Sequence, residues 1–142
     1  MNMVWKWGAA LAVVGLTGCS TIYKQPAGAP SARLNLRGAL GVKWICVSGQ
    51  RQDLQPDPTG YADIPAGQRV TIGVMYNNYG GVVHSSCNPR SSFVPVAGQR
   101  YYLDFQVEAE RCTDFIYKVD PSNRTGLALD STLGAGTECA SQ

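Results

Sequence analysis

Histidine is almost absent from this chain. His84 stands alone, so a zinc site built on paired histidines and an HExxH metalloprotease helix are both excluded. Cysteine occurs but never as CxxC, which removes zinc knuckles and thioredoxin-like redox pairs. No glycine cluster has the spacing of a phosphate-cradling loop, and Gly80-Gly81 reads as a hairpin turn. The apolar run at residues 7–16 is broken by Gly8 and Gly15 and falls well short of the ~20 residues a transmembrane helix needs. Charge is sparse: eight arginines and four lysines are scattered among ten acids for a net +2, without the basic stripe of a nucleic-acid binder. No metal, no cofactor and no nucleic-acid partner is therefore expected.

What is present begins with a targeting segment. Lys6 supplies a basic start, residues 7–16 an apolar centre, and Leu16-Thr17-Gly18-Cys19 an aliphatic and two small residues before a cysteine, which together make the parts of a secretory signal. In spacing and residue type, Leu16-Thr17-Gly18-Cys19 resembles the lipobox of bacterial lipoproteins. The resemblance implies a signal peptide over residues 1–18, a diacylglyceryl thioether on Cys19, cleavage after Gly18 and acylation of the new amino group by a fatty acid such as palmitate. One acyl chain anchors only reversibly at about 0.8 kcal/mol per buried CH2, whereas two or three hold firmly. Ser20, not aspartate, follows the cysteine. By the enterobacterial sorting pattern this implies the outer membrane, with the protein in the cell envelope facing the periplasm.

Removing residues 1–18 takes away only one charge, Lys6, and lowers the net charge to +1. With Cys19 assigned to lipid, four cysteines remain: Cys46, Cys87, Cys112 and Cys139. An exported chain can join them as two disulfides, and four cysteines allow three pairings. Cys87 precedes one strong strand pattern and Cys112 follows it, which favours Cys87 with Cys112 and leaves Cys46 to tie the C-terminal tail through Cys139.

Residues 19–32 are rich in Pro, Ala, Gly and Ser without alternation, the composition of a flexible tether. Fully extended, the dozen residues after Cys19 would reach about 40 Å. From residue 33 to 142 short β-branched and aromatic runs alternate with Gly, Pro and Asn clusters, and no window carries a helical period. Strands are expected at 33–40, 42–47, 61–64, 69–76, 82–87, 93–96, 101–108 and 112–119, with a weaker edge near Leu127 and Leu129. Residues 48–59, with Pro56 and Pro58, read as the longest exposed loop. Val70, Ile72 and Val74 alternate on one face, as do Tyr101, Leu103 and Phe105. Phe115, Tyr117 and Val119 are expected to meet the same core. Ala66-Gly67-Gln68-Arg69 recurs as Ala97-Gly98-Gln99-Arg100, 31 residues on and each time before a strong strand. Seven or eight such strands predict an all-β domain, an antiparallel β-sandwich of immunoglobulin-like or transthyretin-like kind.

Catalytic chemistry finds no foothold. Ser85 and Ser86 adjoin His84, but neighbours along a strand alternate across the sheet and do not converge. Asp104, Glu108 and Glu110 read as a solvated face, and Asp53 and Asp57 lack the ligand density of a calcium loop. The chain therefore reads as no enzyme. It reads as a lipid-anchored protein that binds an envelope protein partner, as an accessory of an envelope or secretion assembly. The alternatives are a periplasmic inhibitor or immunity lipoprotein and, last, an enzyme of unknown chemistry. Tyr79, at a turn among Asn77, Asn78, Gly80 and Gly81, and Arg51, in the loop at 48–59, are the candidate contact residues, since tyrosine and arginine are common interface anchors.

Overall fold

The clearest alternation in the sequence builds the centre of the fold. In the computed structural model, which describes residues 21–80, 84–109 and 111–140, Val70, Ile72 and Val74 lie in one sheet. They face Tyr101, Leu103 and Phe105 of the other, and all six are buried. The strands are β1 (Ser31–Asn35), β2 (Val42–Val47), β3 (Gln50–Asp53), β4 (Tyr61–Pro65), β5 (Val70–Asn78), β6 (Ser85–Cys87), β7 (Arg90–Phe93), β8 (Arg100–Glu108), β9 (Arg111–Val119), β10 (Leu127–Leu129) and β11 (Gly134–Ala135). One sheet runs β10-β9-β8-β1-β4. The other runs β11-β7-β5-β2-β3, with β6 paired to β5. Every strand pair is antiparallel except β1 with β8. Among the described residues there is no helix, and the chain is a two-sheet β-sandwich.

Aromatic rings lock the layers together. Phe93 meets Tyr101 edge-on at 5.0 Å and Tyr76 meets Phe105 at 5.5 Å. The repeated AGQR phrase turns out to be one turn used twice, once per sheet. Gly67 and Gly98 both take a left-handed φ, 80° and 76°, which glycine adopts at no steric cost. The Gly67 N–H donates to the Pro95 carbonyl at 2.8 Å, so the approaches to β5 and β8 are tied at one end of the sandwich.

Several expectations are corrected. Residues 48–59 are not one loop: Ser48 and Gly49, at φ 52° and 78°, make the primed two-residue turn of a hairpin. Gln50–Asp53 then pairs with β2, and Leu54 is buried. The expected strand at 33–40 ends at Asn35, whose side chain accepts from the Arg37 N–H at 3.0 Å. The piece expected at 93–96 is displaced to β7. On β9 the inward residues are Asp114 and Ile116, not Phe115, Tyr117 and Val119. The register explains this, because Leu103 pairs with Ile116 and Phe105 with Asp114, and directly opposed residues share a face.

The largest correction concerns the tether. From Thr21 onward it is part of the domain. The Tyr23 N–H donates to the Asp53 carbonyl at 2.8 Å and the Asp53 N–H to the Thr21 carbonyl at 2.9 Å, so the segment adds itself in parallel to the edge of β3. Tyr23 packs against the core, and its hydroxyl donates to Gln25 at 2.6 Å. Composition suggested disorder, but an open sheet edge supplies the hydrogen-bond partners such a segment lacks when free. Cys19 and the rest of the expected lipobox, residues 81–83 and Glu110 lie outside the described residues.

Candidate interaction surface

The two sheets have outer faces of opposite character. On the sheet that contains β2 and β5, the C-terminal tail lies across the outside. Gly134 and Ala135 pair with β7, and the Thr137 and Thr71 hydroxyls stand 3.2 Å apart. Arg90 pairs with Glu138 at 3.0 Å, and Cys139 is joined to Cys46 of β2 with Cα atoms 5.8 Å apart. The other disulfide joins Cys87 of β6 to Cys112 of β9, Cα atoms 6.1 Å apart, and so bridges the two sheets. These are the two pairs that the order of cysteines along the chain favours.

Trp44 belongs to the covered face. Only 2 % exposed, it lies flat over Gly73, where a Cβ would land inside the indole. Its Nε1 donates to the Asn88 side chain at 2.9 Å. The Arg51 guanidinium sits over its ring at 4.6 Å and completes the lid. Arg51 is thus a half-buried strand residue with a structural partner, not a loop residue held out to solvent. Tyr79 is 75 % exposed just past β5, with its ring edge-on to His84 at 5.8 Å. The two candidate contact residues therefore do not form one site.

The outer face of the other sheet is open and aromatic. By register, Tyr102 stands opposite Tyr117, Val119 opposite Leu127, and Tyr117 opposite Leu129, all pointing away from the core. Phe115 continues the row, 6.3 Å from Tyr117 between ring centroids. Leu129 is 55 % exposed, while Phe115, Tyr117 and Val119 are half-buried. Towards β4 the face turns polar. Arg33 lies over the Tyr61 ring at 4.8 Å, ion-pairs with Asp57, and reaches Asp63 at 3.6 Å. The Asp57 carboxyl is held below its usual range, first by the Thr59 hydroxyl and further by the Tyr61 and Thr59 N–H groups and the Arg33 charge. An aromatic centre with a charged margin is the usual anatomy of a protein-binding patch. Sequence reading missed it because Phe115, Tyr117 and Val119 were expected inside.

One buried group stands out between the sheets. Asp114 is 5 % exposed, accepts from the Ser91 hydroxyl at 3.0 Å through one carboxylate oxygen, and leaves Oδ2 without a partner among the described residues. Burial pushes its carboxyl above the usual range, against the opposing Ser91 hydrogen bond. Asp104, by contrast, accepts from Gln106 at 2.9 Å on the outer face. Among the described residues no group of three or more His, Cys, Asp or Glu side chains could hold a metal. No protein-family model, no curated protein and no solved structure matches the chain.

Proposed function

We propose that the protein is a bacterial lipoprotein, anchored through Cys19 to the outer membrane and facing the periplasm, that acts by binding another envelope protein and not by catalysis. The open aromatic face of Tyr102, Phe115, Tyr117, Val119 and Leu129 carries the binding half of this reading. Tyrosine and phenylalanine are enriched where proteins meet, and side chains that form no part of the core can be kept apolar for a partner at little cost to the fold. The lipobox at residues 16–19 carries the anchoring half. The two disulfides agree with an exported chain.

Each half has its own test. Cys19→Ser should abolish labelling by a palmitate analogue and leave an unprocessed or soluble precursor; normal labelling of that variant would overturn the anchor. For binding, a photoreactive residue placed at Tyr117 should give a discrete protein adduct in cells, and Phe115→Ala should weaken it. An adduct that forms from Tyr79 but never from Tyr117 would move the contact back to the turn.

A further inference from the structure

The pairing of residues 21–23 with β3 fixes more than the start of the domain, because it determines how long a leash the proposed lipid has. Thr21 and Tyr23 are held by backbone hydrogen bonds to Asp53 at 2.9 and 2.8 Å. Cys19 is two residues before Thr21, so full extension leaves about 7 Å between the lipidated residue and an edge strand of the sandwich. That is shorter than the spacing of two packed sheets, about 10 Å. A domain on so short a leash cannot turn freely above a bilayer.

We infer that the protein sits on the lipid surface by the β3 edge, with the adjoining strip of the covered face turned toward the headgroups. This orientation rests on the proposed acylation of Cys19. Its geometry is built from three observations. Ile22 bridges to Asp53, which pairs with Trp44, so its side chain lies on the outer side of that sheet, where it is 44 % exposed. On the same side Val42 and Met75 are opposed in register and exposed at 44 % and 36 %. Three apolar side chains are thus out in solvent on the side of the leash, on a sheet whose outer surface is elsewhere covered in part by the tail and, at Trp44, by Arg51. Ala140 also joins the β3 edge, with the Arg51 N–H donating to its carbonyl at 3.4 Å, so the C-terminal segment lies along the same membrane-facing border.

The consequence reaches the open aromatic face. Residues of the segment after Cys19 and of β3 line a groove together with Pro65 and Ala66 at the end of β4, which sets the β3 and β4 edges side by side. At the other side of the sandwich, Ser91 of β7 bonds Asp114 of β9. The row of Tyr117, Phe115 and Leu129 on β9 and β10 therefore lies three to four strand spacings from the β4 edge, about 14–19 Å. The anchor and the patch occupy opposite borders of the domain, and seating the first on lipid presents the second to the periplasm.

The test uses the full lipidated protein in vesicles of phosphatidylethanolamine and phosphatidylglycerol. A photoreactive residue replaces either Gln50, exposed on β3, or Leu129, exposed on β10, and lipid adducts are counted alongside Cys19 acylation in the same sample. Gln50 should give a several-fold excess of lipid adducts over Leu129. A spacer of about ten Gly and Ser residues inserted after Ser20, adding roughly 17 Å of mean reach, should reduce Gln50 to the Leu129 level with acylation unchanged. Equal yields from the two positions in the acylated protein would overturn the seating, as would an excess at Gln50 that survives the spacer. Absence of acylation at Cys19 would instead bring down the lipoprotein reading, and the orientation with it.

Discussion

The two outer faces of this sandwich have the same geometry and different fates. One is closed by the chain itself: the tail is hydrogen-bonded and disulfide-linked across it, and Trp44 is sealed beneath Arg51. The other carries Leu129, exposed, and Phe115 and Tyr117, half-buried, on its outer side. Contiguous apolar surface favours association, and the face without the tail carries an unbroken aromatic row, whereas the tail-bearing face leaves Ile22, Val42 and Met75 exposed beside the tail. The difference teaches that burial on this fold has two sources, the shared core and the tail. The tail's share should be separable by mutation.

The largest effect is expected from cutting the tail loose. The Cys46–Cys139 link closes 93 residues and the Cys87–Cys112 link 25, which the chain-entropy relation converts to about 4.7 and about 3.5 kcal/mol before any native-state strain. Replacing Cys46 and Cys139 by serine should lower the urea midpoint more than replacing Cys87 and Cys112. Trp44, the one tryptophan among the described residues, should also shift its emission to the red as the tail lifts. A smaller loss than in the Cys87 and Cys112 variant, with unshifted emission, would mean the tail covers the face without holding it.

The next contrast lies within one strand. Ile116 is fully buried and its neighbour Tyr117 points outward. Ile116→Ala should cost about 2–5 kcal/mol. Tyr117→Ala, which removes outer-face contacts with Tyr102, Leu129 and Phe115, should cost less than about 1 kcal/mol yet weaken partner capture. Thermal melts of the two variants check the first half, and crosslinking yield checks the second.

Much of the sandwich was legible in the alternation of β5 and β8, because a period of two with one fully apolar side has a single solution in a two-layer fold. On β9 the same reasoning failed. Its outward side, Phe115, Tyr117 and Val119, is more apolar than its inward side, which carries Asp114, so hydrophobicity pointed to the wrong face and only the pairing register corrects it. The β2–β3 hairpin was hidden for another reason: Gln50–Asp53 is polar throughout, and its one signal was the Ser48-Gly49 turn. The ordering of residues 21–30 left no local trace, since it depends on the edge of β3, distant in sequence. The aromatic patch was illegible for the same reason as the β9 face.

Asp114 offers a smaller effect with the opposite sign. Its carboxyl is raised by burial, so the protonated form is the one the fold favours. Its contribution is complete below the ordinary aspartate pKa of about 3.9 and is lost as pH climbs through the raised folded value. At neutral pH the buried carboxyl therefore costs stability where β7 and β9 meet. Asp114→Asn keeps an acceptor for Ser91 without the charge, and should raise stability at pH 7 by on the order of 1 kcal/mol, a shift of about 4 °C or more in a domain this small. The gain should vanish near pH 3. A melting temperature lowered at both pH values would show that the carboxylate has a partner that stabilises its charge.

The smallest effect separates the two residues that looked alike in the sequence. Arg51 stacks on Trp44, and its guanidinium reaches the Met75 sulfur at 4.0 Å, so truncation removes a cation–π contact and uncovers part of an indole. Arg51→Ala should cost about 0.5–1 kcal/mol. It should leave partner crosslinking from Tyr117 unchanged, because the two side chains stand on the outer faces of different sheets. Tyr79, 75 % exposed with its ring edge-on to His84, is not among the described residues packed against the core, and Tyr79→Ala should leave the melting temperature where it was. Urea titrations of both variants, read through Trp44 emission, decide between them. An Arg51→Ala protein as stable as the parent would show that the stack over Trp44 adds nothing to the fold. An Arg51→Ala protein of normal stability that loses its partner would place binding on the covered side and reverse the assignment of the two faces.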